Sequence, residues 1–173
     1  RGIAYLAAGE RPARLKARDK ALGGWRIVRG DHVPVQLWLA DVGGVLAGTG
    51  ALPPPRALTP ADGPSLTSLD VSPDGQRIAF AAQATPELAV GETSAIYSVA
   101  VAGGAPTRLT SDAGPHREPI WSPDGKAIAF ITADGAANSF FANSRLARIA
   151  PPQAVLQHLP TGQDRNLDIG PAP

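Results

Sequence analysis

Cysteine and methionine are both absent from the 173 residues, and aromatics make up only 5% of them. Without cysteine there are no disulfides, no thiolate metal sites and no cysteine nucleophile, while the redox compartment stays open. Without methionine, Arg1 is not expected to be a translation start, and the chain reads as a portion of a longer one. No apolar run approaches the ~18 residues of a membrane helix. The opening RGIAYLAAGERPAR breaks its apolar stretch too early for a signal peptide. Lys and Arg (16) nearly balance Asp and Glu (15), for a net charge of +1. So even a balance gives no field to attract nucleic acid, an anionic membrane or an acidic substrate. What is present is 43% hydrophobic against 18% charged residues, the composition of a soluble globular chain long enough for one ordinary domain.

A repeat runs through that composition. VSPDGQRIAF at 71–80 returns as WSPDGKAIAF at 121–130, with Ser72 and Ser122 fifty positions apart. A second marker keeps the same step: PRALT at 55–59, PTRLT at 106–110, and a worn LQHLP at 156–160, where Pro160 replaces the threonine. A third, IAY at 3–5, matches IAF at 78–80 but lies 75 residues before it, so about 25 residues are inserted in the earliest unit. Repeats with a fixed period mark solenoids, propellers and arrays.

Each unit reads as four short strands. EPIW (118–121) is the first, SPDG the turn and KAIAFIT (126–132) the second; AIYSVAVA (95–102), a GG turn and APTRLT supply the third and fourth of the preceding copy. In SPDG, proline presets φ for the second turn position, aspartate tolerates the third, and glycine can take positive φ. Ser72 and Ser122 can bond forward to a backbone N–H. IAFIT is apolar almost throughout, as in a strand covered on both faces. Four-stranded antiparallel sheets, covered on both faces and repeated every 40–50 residues or so, are β-propeller blades.

The expected fold is therefore all-β, a partial propeller of four-stranded antiparallel blades with one helical insert. Residues 1–60 form a partial blade with the insert at about 9–34, 66–110 a complete blade, 118–160 a degenerate blade and 161–173 a linker to a further one. RGIAYLA aligns with QRIAFAA, so an SPDG is expected just upstream of Arg1, and GPAP occupies the place of REPI near the other end. The centre of the insert, 13–22, favours helix by its Ala, Leu, Lys and Arg content. Its basic residues Arg11, Arg14, Lys16, Arg18 and Lys20 face Glu10 and Asp19, and a solvated helix or loop on the ring's rim explains them without nucleic acid.

Few residues offer chemistry. Ser65 comes nearest to a G-x-S-x-G nucleophile elbow, with Gly63 before it, but Thr67 stands where the second glycine belongs. His32, His116 and His158 are isolated, with no carboxylate at ligand spacing. His116-Arg117-Glu118 reads as a connector before a first strand, or as lining for a central pore. Asp74 and Asp124 are turn formers. VGGVLAGTG at 42–50 lacks the lysine of a phosphate loop and a helix after it. Trp38 and Trp121 are expected in packing between blades. The sequence thus assigns no catalytic, cofactor-binding or metal residue and implies no cofactor.

SPDG-x-x-IAF, followed by an LWLxDV or IYSVxV strand and a GG-x-P-x-x-LT ending, resembles the TolB-type propeller repeat. That repeat occurs in periplasmic TolB proteins and in the N-terminal propellers of prolyl oligopeptidase family serine peptidases. KARDKALGGWRIVRGDHVPVQLWLADV is similar to the first-blade insert and strand of acylaminoacyl-peptidase-like and dipeptidyl-peptidase-like members, and LPTGQDRNLDIGPAP to their Leu-Thr ending and Asp-Arg-Asn linker, here Asp164, Arg165 and Asn166. The resemblance implies a non-catalytic propeller that gates and positions peptide substrates for a C-terminal α/β-hydrolase domain. Its partners would be further blades, that domain and peptides, with no nucleic acid and no membrane insertion; the compartment is left open between a periplasmic or secreted setting and the cytoplasm. The alternative is a TolB-like periplasmic propeller that binds proteins and catalyses nothing.

Overall fold

The computed structural model describes residues 1–23, 31–50, 52–84, 93–111, 114–133, 143–151 and 153–160. They build three antiparallel sheets, each a meander in chain order. The first holds β1 (Gly2–Ala8), β2 (Val35–Asp41) and β3 (Arg56–Ala57). The second holds β4 (Ser65–Val71), β5 (Arg77–Gln83), β6 (Ala95–Ala100) and β7 (Thr107–Arg108). The third holds β8 (His116–Trp121), β9 (Ile128–Thr132), β10 (Arg145–Ala150) and β11 (Gln153–His158). Stacked face to face, they form a partial β-propeller. No helix among the described residues is long and apolar enough to cross a membrane. Asp164, Arg165 and Asn166, with the rest of 161–173, and residues 24–30 of the insert lie outside the described residues.

Both SPDG turns close in the same way. Gly75 N–H donates to Ser72 C=O and Gly125 N–H to Ser122 C=O, each at 2.8 Å, with both glycines at φ +68°. The Ser72 hydroxyl accepts from Arg77 N at 2.9 Å and donates to Asp74 Oδ1 at 2.6 Å, and that oxygen also takes Gln76 N at 2.9 Å. Ser122, Asp124, Lys126 and Ala127 repeat the pattern at 2.6, 3.1 and 2.9 Å. These bonds favour the carboxylate form, so the serine hydroxyl first and the backbone N–H second pull both Asp74 and Asp124 below the usual carboxyl value. A Cβ on Gly75 would meet nothing within 4 Å, and one on Gly125 only Pro73 Cδ at 3.8 Å. Glycine is demanded here by the sign of φ, not by space.

The Leu-Thr marker has a separate task. Leu58 N donates to Leu37 C=O at 2.8 Å while Thr59 Oγ1 accepts from Leu37 N at 3.0 Å. Leu109 and Thr110 treat Ile96 in the same manner, at 2.8 and 3.1 Å. The pair thus extends a fourth strand that is regular only at Thr107–Arg108, shorter than APTRLT suggests, by borrowing a side chain as an extra rung. In the third sheet Leu159 N still reaches Leu146 C=O at 2.9 Å, but Pro160 has no hydroxyl to offer Leu146.

Alternation along the strands sets the stacking. In the second sheet Ile78 and Phe80 turn toward the first sheet, joining Leu37, Leu58 and Leu66, while Ala79, Ala81 and Ile96 turn toward the third. In the third sheet Ile128 and Phe130 again face back, meeting those alanines with Trp121, Ala147 and Ile149. Each fully buried Ile or Phe is worth about 1.5–3 kcal/mol of transfer. Phe80 stacks on Tyr97 with ring centres 5.5 Å apart, and Phe130 takes His116 edge-on at 5.3 Å.

The insert begins with α1 (Ala13–Leu22), the span that its composition predicts. It is not merely solvated. Leu15 is buried, and Arg18 Nη1 lies 2.7 Å from Asp31, a carboxylate itself almost wholly covered. That hydrogen bond raises the Arg18 pKa above its ordinary value. Arg11–Asp19 at 2.8 Å and Lys16–Glu10 at 2.6 Å neutralise two more of its cations. The glycines of 42–50 start a single helical turn, α2 (Gly43–Leu46), where the sequence reading placed no helix.

Candidate functional site

The side chains that carry chemistry are dispersed, and most are tied into turns and seams. Ser65 is the first residue of β4, not the apex of a strand-to-helix elbow; it is buried, and its Oγ accepts from Val35 N at 3.1 Å, joining the second sheet to the first. His32 is exposed in the connector before β2, and His158 ends β11 in another sheet. His116 corrects the sequence reading: it is neither a connector nor pore lining but a strand residue of β8, fully buried against Phe130. Its place at the buried start of β8 and the ring of Phe130, met edge-on, account for the burial. Among the described residues no group of three or more His, Asp or Glu could hold a metal.

Trp121 packs between sheets as expected, 7% exposed within the seam of the second and third. Trp38 does not join either seam. Leu37 and Leu39 take that side of β2, so Trp38 falls on the outward face beside its cross-strand partner Tyr5, with Nε1 donating to Ala7 C=O at 3.3 Å.

Sequence reasoning missed the residues that fasten one sheet to the next. Asp70 Oδ2 accepts from Trp121 N at 2.7 Å, and Ser68 Oγ from Glu118 N at 3.3 Å, so β4 and β8 run beside each other. Both strands carry a register shift at matching places, between Leu66 and Ser68 and between Arg117 and Ile120. The second shift puts Glu118 at φ +54°, the single non-glycine with positive φ among the described residues. Arg56 bridges the first seam, giving Nη2 to Val101 C=O at 2.8 Å and Nη1 to Ala102 C=O at 3.3 Å. The available signal was the polar pair Ser68 and Asp70, two apart in β4 and hence on one face.

An open cleft of about 700 Å³ separates the ends of the first two sheets on the side of the SPDG turn, lined by Leu39, Asp41, Arg56, Val71, Gly75 and Val101. Arg56 is held there by carbonyls, and no nucleophile and base face each other across it. Among the residues lining it no acid–base pair is set for reaction.

No family model matches the sequence, and no curated protein does. Solved structures match by fold. A TolB protein from Agrobacterium tumefaciens is 22% identical with a TM-score of 0.53, over 72% of this chain and 40% of that one. TolB from Acinetobacter baumannii is 18% identical with a TM-score of 0.51, over 73% and 27%. A puromycin-hydrolysing peptidase from Mycobacterium tuberculosis is 16% identical with a TM-score of 0.53, over 73% and 18%. The chain thus spans less than half the length of each. At these identities the likeness is one of fold alone, a β-propeller.

Proposed function

We propose that this chain is the non-catalytic propeller segment of a prolyl oligopeptidase family serine peptidase, gating and positioning peptide substrates for an α/β-hydrolase domain encoded elsewhere in the same protein. Within that segment residues 1–60 act as a partial blade, 66–110 as a complete one, 118–160 as a degenerate one and 161–173 as the link onward. The observation that carries the reading is the use to which polar side chains are put: Ser65, Ser68, Asp70 and Arg56 fasten sheet to sheet, and the SPDG serines and aspartates close turns. Such a body is a scaffold, and the fold it shares includes that of a peptidase. Specificity in this arrangement comes from what the ring admits, while bond cleavage is left to a triad that the described residues lack.

The test compares the product of the whole gene with residues 1–173 alone on short peptide amides. The whole protein is expected to hydrolyse them and to lose the activity to a serine-directed phosphonate, while the 173-residue chain is inactive. A whole protein without hydrolytic activity that binds other proteins would replace this reading with that of a protein-binding propeller, toward which the 22% identity to a TolB points.

A further inference from the structure

Three aspartate–glycine steps lie among the described residues, Asp62–Gly63, Asp74–Gly75 and Asp124–Gly125; a fourth, Asp134–Gly135, lies outside them. Such a step is chemically weak, because glycine has no Cβ to shield its nitrogen and that nitrogen can close a succinimide ring on the preceding carboxyl. All three aspartates are exposed, so exposure does not separate them. Their bonds do. Asp74 Oδ1 accepts from the Ser72 hydroxyl at 2.6 Å and Gln76 N at 2.9 Å, and Asp124 Oδ1 from the Ser122 hydroxyl at 2.6 Å and Lys126 N at 3.1 Å. Gly75 and Gly125 are fixed too, each N–H donating to its serine C=O at 2.8 Å. The Asp62 carboxylate has no hydrogen bond or ion pair among the described residues, and Gly63 N reaches Pro60 C=O at 3.2 Å. Arg108 lines the same open cleft as Asp62 and Gly63, but its Nε is given to Thr110 C=O at 2.7 Å.

We propose that Asp62–Gly63 is a site of spontaneous covalent modification, where aspartate isomerises to isoaspartate while the same dipeptide in the two SPDG turns is protected by its bonds. The Gly63 nitrogen attacks Cγ of the uncharged carboxyl. An N–Cγ bond forms, the nitrogen gives up its proton and Cγ its hydroxyl, and one water leaves. Water then adds to the former main-chain carbonyl carbon of Asp62 and breaks its bond to Gly63 N. The main chain now runs through Cβ and Cγ, and the α-carboxylate is free. Nothing is oxidised or reduced and the lost water is regained, so no co-reactant is needed. At Asp74 and Asp124 the bonds that fix the carboxyl also keep it charged, drawing both below the usual carboxyl value, and a carboxylate has no hydroxyl to lose. Giving up two such bonds slows the attack by about tenfold or more. The loop that holds Asp62 is pinned at both ends on β2, where Thr59 Oγ1 accepts from Leu37 N at 3.0 Å and Ser65 Oγ from Val35 N at 3.1 Å. Isoaspartate adds one carbon to the main chain between those pins, so the change falls on the joint between the first and second sheets. This goes beyond the peptidase reading and does not depend on it.

The test keeps the folded 173-residue chain at neutral pH for weeks, digests it with trypsin and locates isoaspartate by electron-transfer fragmentation. Residues 57–77 form one tryptic peptide with both Asp62 and Asp74, and 118–126 another with Asp124. In the folded chain Asp62 is expected to isomerise at least about tenfold faster than Asp74 or Asp124. The free 57–77 peptide, treated alike, should isomerise at comparable rates at both positions, because its bonds are gone. Ser72→Ala, which removes the hydroxyl bond to Asp74, should speed Asp74 in the folded chain and leave Asp62 unchanged; if that variant melts lower than the parent, the folded chain against the free peptide decides. Equal rates at Asp62 and Asp74 in the folded chain, or the same bias in the free peptide, would overturn the proposal.

Discussion

The second and third sheets share a turn, a register and a packing plan, yet they differ in how the edge is closed. In the second, Leu109 and Thr110 grip both backbone groups of Ile96, one with an N–H and the other with a hydroxyl. In the third, Leu159 grips the carbonyl of Leu146 and Pro160 leaves the N–H out of that grip. The difference also shows in cover: Leu109 is 7% exposed within its cluster, whereas Leu159 is only half-buried. The turn and the I-x-F face survive in both copies because each is needed by its own hairpin and by the sheet behind it. The closing rung depends on a single side chain, so it is the part that can wear away without undoing the blade.

The largest expected effect asks whether the third sheet is docked as firmly as the second. Phe80→Ala and Phe130→Ala each remove a ring that is 1% exposed, and each should cost about 3–5 kcal/mol in urea unfolding. A loss at Phe130 below about 1 kcal/mol would mean that the third sheet does not pack on the second. Next come the turns. Gly75→Ala and Gly125→Ala should each cost about 1–2 kcal/mol through positive φ, and by equal amounts, since both sit at +68° with open space around the new methyl group. Unequal losses would separate two turns that look alike.

The edge itself gives a smaller and opposite pair. Thr110→Val should cost about 1 kcal/mol for the lost bond to Ile96 N. Pro160→Thr should gain up to about 1 kcal/mol by supplying the same bond to Leu146 N, and a loss there would show that the worn edge is not merely an unfinished copy. The smallest effect lies in acid. Asp74 and Asp124 have folded pKa values below the ordinary 3.8. Their contribution is therefore present above that value and lost as the pH falls through the folded pKa. Asp74→Asn with Asp124→Asn should flatten the fall of melting temperature below pH 3.8 and leave its slope near neutrality unchanged.

Much of the fold was legible because it is local. The SPDG turns, the helix at 13–22 and the strands around IAF follow from dihedral preference and apolar runs within a few residues. The seams were not, because their bonds join residues 30 to 51 positions apart: nothing in DVSPDG says that Asp70 will hold the backbone of Trp121. His116 was misread for a related reason. A polar letter beside Arg117 and Glu118 suggests solvent, yet alternation in β8 and the ring of Phe130 bury it. Trp38 was expected between blades, and within the three sheets its side of β2 is the outward one.

That consecutive repeats stand side by side, strapped first strand to first strand, is tested most directly by hydrogen exchange at a single amide. The Trp121 N–H, 2.7 Å from Asp70 Oδ2, should be protected in the parent chain. It should exchange at least about tenfold faster in Asp70→Ala, in keeping with the loss of one charge-assisted bond, while the Gly125 amide in the adjacent turn keeps its protection. A Trp121 amide that exchanges freely in the parent chain, or that is indifferent to Asp70→Ala, would contradict the stacked-blade arrangement.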